Sequence, residues 1–308
     1  MDRLEAMAAF VAATETGSLS AAGRRLGMPL ATISRKVSEL EAQLGTRLLH
    51  RSTRQLTLTD SGQDYLAACR RILEDVSEAE RAAAGEYSAP QGELIVAAPI
   101  LFGRLHVLPV TTEFLKAYPY VDVRLVFGDR VLNLLDDHID LAIRVGELPD
   151  SSQVATRVGA IRQVACASPA YLADRGTPQH PADLAGHDCI TFDGLMAADE
   201  WKFQVGDAER SFPIRSRLTV NTADATIAAA IAGAGITRAF SYQVADARTA
   251  GVLDVVLQAF ELTPRPVSLI YARQGRLPLK LRAFIDFAAP RLRTRLLEVA
   301  ALAWNGTG

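Results

Sequence analysis

The sequence has few cysteines, no long apolar run and no segment that resembles a cleaved leader. The three cysteines are odd in number and widely spaced, at Cys69, Cys166 and Cys189, which excludes a disulfide framework and predicts free thiols in a reducing compartment. The longest stretch without a charged residue, 225–237, is far shorter than the ~20 apolar residues of a membrane-spanning helix. No signal-peptide pattern is present near the first residues. We therefore expect a cytoplasmic protein without a membrane span.

The common catalytic motifs are also missing. The sequence contains no Gly-rich phosphate loop, no GxSxG motif and no HExxH motif. The histidines are scattered without the spacing of metal ligands, and we expect them at the surface or as hydrogen-bonded core residues: His50, His106, His138, His180 and His187. The sequence therefore predicts neither an enzyme nor a metal or cofactor site.

Charge is balanced over the whole chain but not along it. The 308 residues, long enough for about two domains, carry a formal net charge of −2 and are 49% apolar. Residues 24–54 have a local net charge of +5, and residues 60–86 have one of −4. A basic segment is what DNA binding requires. Charge clustering alone is equally typical of two solvated helix faces. The residue pattern inside the basic segment therefore has to distinguish a DNA-binding segment from a solvated surface.

Three short helices are predicted in and before the basic segment. Residues 3–15 have helical apolar spacing, Ser18 is a suitable N-cap for a second helix that ends near residue 26, and Pro29 precedes a third helix over 30–44. On the third helix one apolar stripe is expected to be buried, namely Ile33, Val37, Leu40 and Leu44. The pattern is typical of a helix-turn-helix.

The opposite face of the third helix suits a DNA major groove. Small and hydroxyl side chains permit close approach, and Arg35 can pair with guanine or with a phosphate. A polar turn and a short strand at Leu56 and Leu58 then predict a two-stranded wing with Arg51 and Arg54 near its tip. The residues predicted to face DNA are Ala31, Thr32, Ser34, Arg35, Ser38, Arg51 and Arg54.

The acidic segment is predicted to be one long helix over 60–87. Thr59 can cap it, and an unbroken apolar stripe runs along it with alternating steps of four and three residues. The stripe comprises Tyr65, Cys69, Ile72, Val76, Ala79 and Ala83. Such a stripe predicts a dimerising linker helix; the alternative is a helix that packs on its own chain.

The second half of the chain alternates strands and helices, which predicts a parallel α/β sheet. The polar break 88–92 reads as a hinge. Strands are expected near 94–98, 121–127 and 139–145, and helices over 104–117, 131–137, 224–233 and 278–301. The predicted domains are 1–59, 60–87 and 93–308, the last with one lobe of about 93–162 plus 266–308 and another of 163–265.

Runs in both halves resemble LysR-type transcriptional regulators. In the first half they are Ser18-Leu19-Ser20, Ile33-Ser34-Arg35-Lys36-Val37 and Leu44-Gly45-Thr46-Arg47-Leu48-Leu49; in the second they are 140–146, 166–172 and 282–287. The resemblance spans about residues 4–292 and implies an α/β protein: a mainly α-helical winged helix-turn-helix, a linker helix and a two-lobed effector domain similar to periplasmic binding proteins. The implied partners are double-stranded promoter DNA, a small-molecule effector, RNA polymerase and further copies of the chain, as a homodimer or homotetramer.

The same resemblance places an effector between the two lobes. The residues it brings to that cleft are Ile100, Leu101, Phe102, Arg144, Gly146, Ser168, Asn221, Thr222, Thr237 and Arg238. Relatives often have Ser or Thr after the first strand to bind a carboxylate, whereas residues 98–102 offer no hydroxyl. This departure favours an apolar or aromatic effector, or an anion held elsewhere. Arg144 and Arg238 are candidates for holding it, and an internal ion pair is the alternative for each.

Two readings of function follow. The first is a DNA-binding transcriptional regulator controlled by a small molecule. The second is a solute-binding protein that carries an extra N-terminal domain. The basic segment 24–54 and the missing signal peptide favour the first.

Overall fold

The structure, a computed structural model, divides into two compact units, Met1–Gly92 and Glu93–Gly308. It describes residues 2–51, 56–83, 89–130, 134, 137–148, 153–193, 199–272 and 277–304. The two units are described separately.

The N-terminal unit is a helical head with a small β-ribbon. Its three short helices are α1 (Arg3–Thr16), α2 (Leu19–Leu26) and α3 (Leu30–Leu44). Ser18 caps α2 as predicted, since its hydroxyl accepts a hydrogen bond from the amide of Ala21. Gly23 permits the tight turn into α3, because a Cβ there would lie 2.6 Å from the carbonyl oxygen of Met28.

The wing and a long helix complete this unit. Strands β1 (Leu49–Arg51) and β2 (Leu56–Leu58) pair antiparallel, and α4 spans Asp60–Ala83. The hydroxyl of Thr59 accepts a hydrogen bond from the amide of Gly62 at 2.9 Å and so caps α4.

The core of the head includes the first part of α4, which revises the prediction for its apolar stripe. Cys69 is fully buried in this core, and Tyr65 and Ile72 pack against it. The Phe10 and Tyr65 rings lie 6.1 Å apart, so α1 and α4 meet within one chain. The first three positions of the stripe thus have neighbours within the head, whereas Val76 and Ala79 lie outside this core.

The C-terminal unit contains two five-stranded sheets. The first sheet has the order β4-β3-β5-β14-β6, and the second has the order β11-β8-β12-β7-β13. The first is built from β3 (Gly92–Ala98), β4 (Val121–Phe127), β5 (Leu141–Val145), β6 (Gln153–Ile161) and β14 (Arg265–Ala272). The second is built from β7 (Gln163–Ala167), β8 (Asp188–Phe192), β11 (Arg215–Val220), β12 (Ile236–Phe240) and β13 (Asp254–Val256). A separate hairpin is formed by β9 (Glu200–Val205) and β10 (Ala208–Pro213).

Both sheets are mixed, so the expectation of a parallel sheet is met by some strand pairs and not by others. β3 pairs parallel with β5, but β14 runs antiparallel to both β5 and β6. In the second sheet β8 pairs parallel with β11 and β12, while β7 runs antiparallel to β12 and β13. The reason is the path of the chain: it leaves the first sheet along β6, enters the second along β7, and returns along β14.

The helices of this unit pack on the two sheets. They are α5 (Ile100–Phe102), α6 (Leu108–Ala117), α7 (Pro169–Arg175), α8 (Ala223–Ile231), α9 (Ser241–Thr249) and α10 (Leu279–Trp304). A π-helical turn, Gly103–Val107, joins α5 to α6. Pro109 has no N–H to donate to the preceding turn, which accounts for the break in the regular helix predicted over 104–117. The helix predicted over 131–137 falls mostly outside the described residues.

Candidate DNA-binding surface and ligand cavity

The outward face of α3 carries the residues predicted to contact DNA. Of the predicted stripe on the opposite side, Ile33, Val37 and Leu40 are fully buried, and its last member, Leu44, is half-buried. Ala31, Arg35 and Ser38 are exposed, and Thr32 and Ser34 are half-buried.

The side chain of Arg35 lies in solvent. Its side chain is 70% exposed, and its Nε lies 3.9 Å from a carboxylate oxygen of Glu39. An exposed ion pair of this kind contributes little stability. The guanidinium can therefore exchange Glu39 for a guanine edge or a phosphate at small cost.

The first turn of α3 adds backbone donors to the same end of the surface. Pro29 stands at the N-cap and provides no side-chain hydrogen bond. The amides of Leu30 and Ala31 begin the helix, and the first amides of a helix have no partner within it. A helix N-terminus of this kind attracts phosphate.

Two basic residues of the segment, Arg25 and Lys36, form ion pairs within the head instead. Lys36 pairs with Glu5, and Glu15 pairs with Arg25 at 2.6 Å and with Arg70 at 3.1 Å. These contacts tie α2, α3 and α4 to α1. The charge of +5 therefore overstates the number of cations available to DNA.

The wing is held by Glu41, a carboxylate of α3. One carboxylate oxygen of Glu41 accepts the amides of Leu48 and Leu49, at 3.0 and 3.1 Å. Glu41 thus holds the start of β1 against α3. Of the two predicted wing arginines, Arg51 ends β1 and Arg54 lies outside the described residues.

The C-terminal unit contains a cavity of about 230 Å³. Both sheets line it where β3, β5, β8 and β12 end, and α8 and α9 complete its wall. Ligand sites in open α/β sheets form at these carboxyl ends.

Two of the ten predicted effector residues, Arg144 and Arg238, line this cavity. The other eight do not: Ile100, Leu101, Phe102, Gly146, Ser168, Asn221, Thr222 and Thr237. Two of the hydroxyls are already engaged, since Ser168 accepts the amide of Tyr171 and Thr237 donates to the carbonyl of Ile190. Phe102 is fully buried against Tyr242.

The structure adds lining residues that sequence reasoning missed. Gln163 begins β7, Tyr242 and Gln243 lie on α9, and Arg265 begins β14. Two of these positions follow the predicted site residue Arg238 by only four and five residues, so continuing along the strand into the next helix would have found them.

Two family models cover most of the chain. Residues 4–63 match the one described as a bacterial regulatory helix-turn-helix protein of the lysR family, and residues 88–293 match the LysR substrate binding domain. The chain belongs to the LysR family of transcriptional regulators. The predicted family is thereby confirmed, and the alternative of a solute-binding protein does not account for residues 4–63.

Individual LysR-type relatives are similar over almost the full chain. The Escherichia coli K12 transcriptional activator AaeR is 34% identical over 93% of this chain and 93% of its own. The Neisseria meningitidis regulator CrgA is 35% identical over 95% of this chain and 98% of its own. The solved structure of CrgA from N. meningitidis has a TM-score of 0.61 at 31% identity and covers 94% of this chain and 98% of that one.

These matches confirm the predicted fold class and function. This LysR-type regulator has a helix-turn-helix head and a two-lobed α/β effector-binding domain, and its relatives are transcriptional regulators. Within the described ranges, no helix is both long and apolar enough to cross a membrane. No group of three or more metal-ligating side chains occurs in that part of the chain.

Arg238 of the regulator is a buried cation at the cavity wall. It is 8% exposed, and its Nη2 donates to Oε1 of Gln163 at 2.8 Å. Its guanidinium carbon lies 5.9 Å from the centre of the Trp201 ring and 5.2 Å from that of Phe203. Burial, together with the like charge of Arg265, lowers the pKa of Arg238 to about 10, so the side chain stays charged at neutral pH.

The cysteines of the regulator are free, as the sequence predicts, and the structure shows that all three are buried. Burial raises the pKa of Cys69 to about 11 and the pKa values of Cys166 and Cys189 to about 12. The thiolate is the reactive form of cysteine. All three are therefore packed as small apolar residues at neutral pH.

His106 departs from the prediction that each histidine is exposed or hydrogen-bonded. It is 5% exposed on the π-helical turn, and neither ring nitrogen has a hydrogen-bond partner among the described residues. Phe102 and Tyr242 pack on its ring, and Arg295 of α10 is the nearby charge. Burial, with a smaller contribution from Arg295, lowers the pKa of His106 to about 4.

The buried His106 predicts a loss of stability in acid. Its pKa is 6.5 in the unfolded chain and about 4 in the folded unit, so the unfolded state binds more protons between these values. The contribution of neutral His106 to the free energy of unfolding is fully present above pH 6.5. The free energy of unfolding should fall by about 3 kcal/mol as the pH drops to 4. Urea unfolding of the C-terminal unit at several pH values measures this. His106→Phe should flatten the curve, whereas His180→Asn, at an exposed position of the same unit, should not. An unchanged slope in His106→Phe would contradict the assignment.

Proposed function

We propose that α3 reads an operator, that the far end of the α4 stripe joins two chains, and that the cavity binds the effector. The exposed guanidinium of Arg35, beside the open N-terminus of α3, is the observation that carries the DNA-binding part. A cytoplasmic location follows from DNA as the partner.

Base readout is assigned to the exposed part of α3. The small side chain of Ala31 lets the helix approach the groove, and Thr32 and Ser34 supply hydroxyls beside it. Arg35 lies one turn further along and can reach a guanine edge with two N–H donors. Arg51 and Arg54 of the wing are proposed as backbone or minor-groove contacts.

Dimer formation is assigned to the end of α4. Val76 is half-buried, Ala79 is exposed, and neither belongs to the packed core of the head. Two heads on one duplex can then engage two half-sites. Assembly of two dimers into a tetramer and contact with RNA polymerase, which the family resemblance implies, extend this proposal.

Effector binding is assigned to the cavity because it combines largely apolar walls with converging polar groups. The cavity is lined from both sheets, so an occupant contacts both. A ligand that fits one arrangement of the two lobes better than another shifts their equilibrium. We propose that this shift changes operator binding or its regulatory output.

Arg35→Ala tests the DNA-binding part. An operator is first selected by the wild-type regulator from a random duplex pool, and affinities are measured by gel shift at fixed salt. The variant should lose about 1–3 kcal/mol of operator affinity, which is roughly 5–150-fold, and discriminate less against an unrelated duplex. Arg282→Ala removes an equally exposed arginine from the C-terminal unit and should leave binding unchanged. Unchanged affinity and selectivity in Arg35→Ala would exclude base readout by this residue.

A further inference from the structure

We infer that the effector is a small organic anion, an aromatic or apolar carboxylate, whose carboxylate binds the guanidinium of Arg238. This inference rests on the proposal that the cavity is the effector site and names the class of ligand that the site takes. Four observations carry it.

The first is that Arg238 forms no ion pair with any carboxylate in the described part of the chain. Its one hydrogen bond goes to the neutral amide of Gln163, and its other neighbours are the faces of Trp201 and Phe203. A guanidinium has five N–H donors, and buried charges in proteins are normally paired. The aromatic rings hold the group in place without neutralising it. The cavity is where an opposite charge can reach it.

The second observation is a comparison within the same unit. Arg162 is less buried than Arg238, with 29% of its side chain exposed, yet it has a bidentate partner. Its Nε and Nη2 each lie 2.7 Å from an oxygen of Glu261. The fold thus supplies a carboxylate to one partly buried arginine and none to the more deeply buried one at the cavity. The missing counter-charge at Arg238 is a local property of the cavity wall.

The third observation is the charge of the lining as a whole. Arg130, Arg144 and Arg265 also contribute to the wall, and among the described lining residues Asp129 is the one carboxylate. Asp129 is partly engaged, because its Oδ1 accepts the amide of Ile100 at 3.1 Å. Four cations against one anion give a positive potential that attracts an anion and repels a cation.

The fourth observation concerns the size and the remaining walls of the cavity. Aromatic rings of Phe192, Phe240 and Tyr242 line it together with aliphatic side chains such as Ile143. Its volume of about 230 Å³ is below the roughly 300–1,000 Å³ of sites for drug-sized ligands. A compact ligand with one flat apolar body and one carboxylate satisfies both the walls and Arg238.

Thermal-shift measurements on the full-length regulator with two matched probes test the inference. Benzoate carries the carboxylate, and benzamide has the same ring and a neutral amide. Benzoate is expected to raise the melting temperature in a concentration-dependent way, because a ligand that binds the native state stabilises it. Its apparent affinity should exceed that of benzamide at least 10-fold. Arg238→Gln should remove this preference, and Arg282→Gln, which deletes an exposed arginine, should keep it.

The outcomes separate the two levels of the proposal. Equal stabilisation by benzamide and benzoate would overturn the anion assignment and leave the cavity as a ligand site. Undiminished benzoate binding by folded Arg238→Gln, or no response of the wild type to benzoate, phenylacetate and cinnamate, would also overturn it. If Arg238→Gln does not fold, the comparison of benzoate with benzamide in the wild type still decides. Failure of the proposed function would look different: benzoate would bind with the expected preference, yet no cavity ligand would change operator binding.

Discussion

Replacing Val76 and Ala79 of α4 together by lysine is expected to weaken operator binding by about 10²–10⁴-fold. The two positions continue the apolar stripe beyond the part that the head itself covers. In a two-fold dimer the added ammonium groups would face their copies across the seam, and like charges there oppose pairing. In a dimer, binding of one head raises the effective concentration of the second head at its half-site. A monomeric head lacks this gain, and we therefore expect the 10²–10⁴-fold loss of operator affinity.

Lysine is chosen because its positive charge cannot itself repel DNA. Any loss of affinity therefore comes from the loss of pairing. Asp64→Lys adds the same charge difference at an exposed position outside the stripe and should leave dimer and affinity unchanged. Light scattering gives the mass of each variant and gel shift gives its operator affinity. A monomeric double variant with wild-type affinity would refute the role of the dimer, and a double variant that remains dimeric would refute the assignment of the seam.

Local features of the head are predictable from the sequence because short-range rules determine them. The buried stripe of α3 follows from its helical spacing, and the caps at Ser18 and Thr59 follow from their hydroxyls and the glycines nearby. The use of the α4 stripe is less predictable. A spacing of four and three residues is the same whether the partner is a second chain or α1 of the same chain, and the structure places Cys69 against the latter.

Features that depend on the path of the chain are harder to predict. The strands themselves follow from apolar runs, but the direction of β14 depends on a return from the second sheet, far along the sequence. The contacts at the cavity are hard to predict for the same reason. Arg238 could be named from the family resemblance, but its missing carboxylate partner could not, because Gln163 lies on a neighbouring strand 75 residues away. Charge pairing across strands is a property of the fold.

Phe10→Ala is expected to unfold the head selectively, with a loss of about 3–5 kcal/mol of its stability. The ring is fully buried and packs against Tyr65 of α4 within the core that also contains Ile33 of α3. Truncation leaves a cavity between the helices that the small core of the head has little means to close. Leu4→Ala on the same helix removes a side chain that is 38% exposed and should cost far less.

Calorimetry and operator binding measure the consequence together. In Phe10→Ala the transition of the head should shift to lower temperature while that of the C-terminal unit stays in place, because the units have separate cores. Operator binding should be lost, since α3 keeps its outward face only while Ile33 and Val37 remain packed. A single transition that shifts as a whole would show that the two units unfold together. Wild-type operator affinity in this variant would mean that the packing of α1 against α4 does not support the DNA-binding surface.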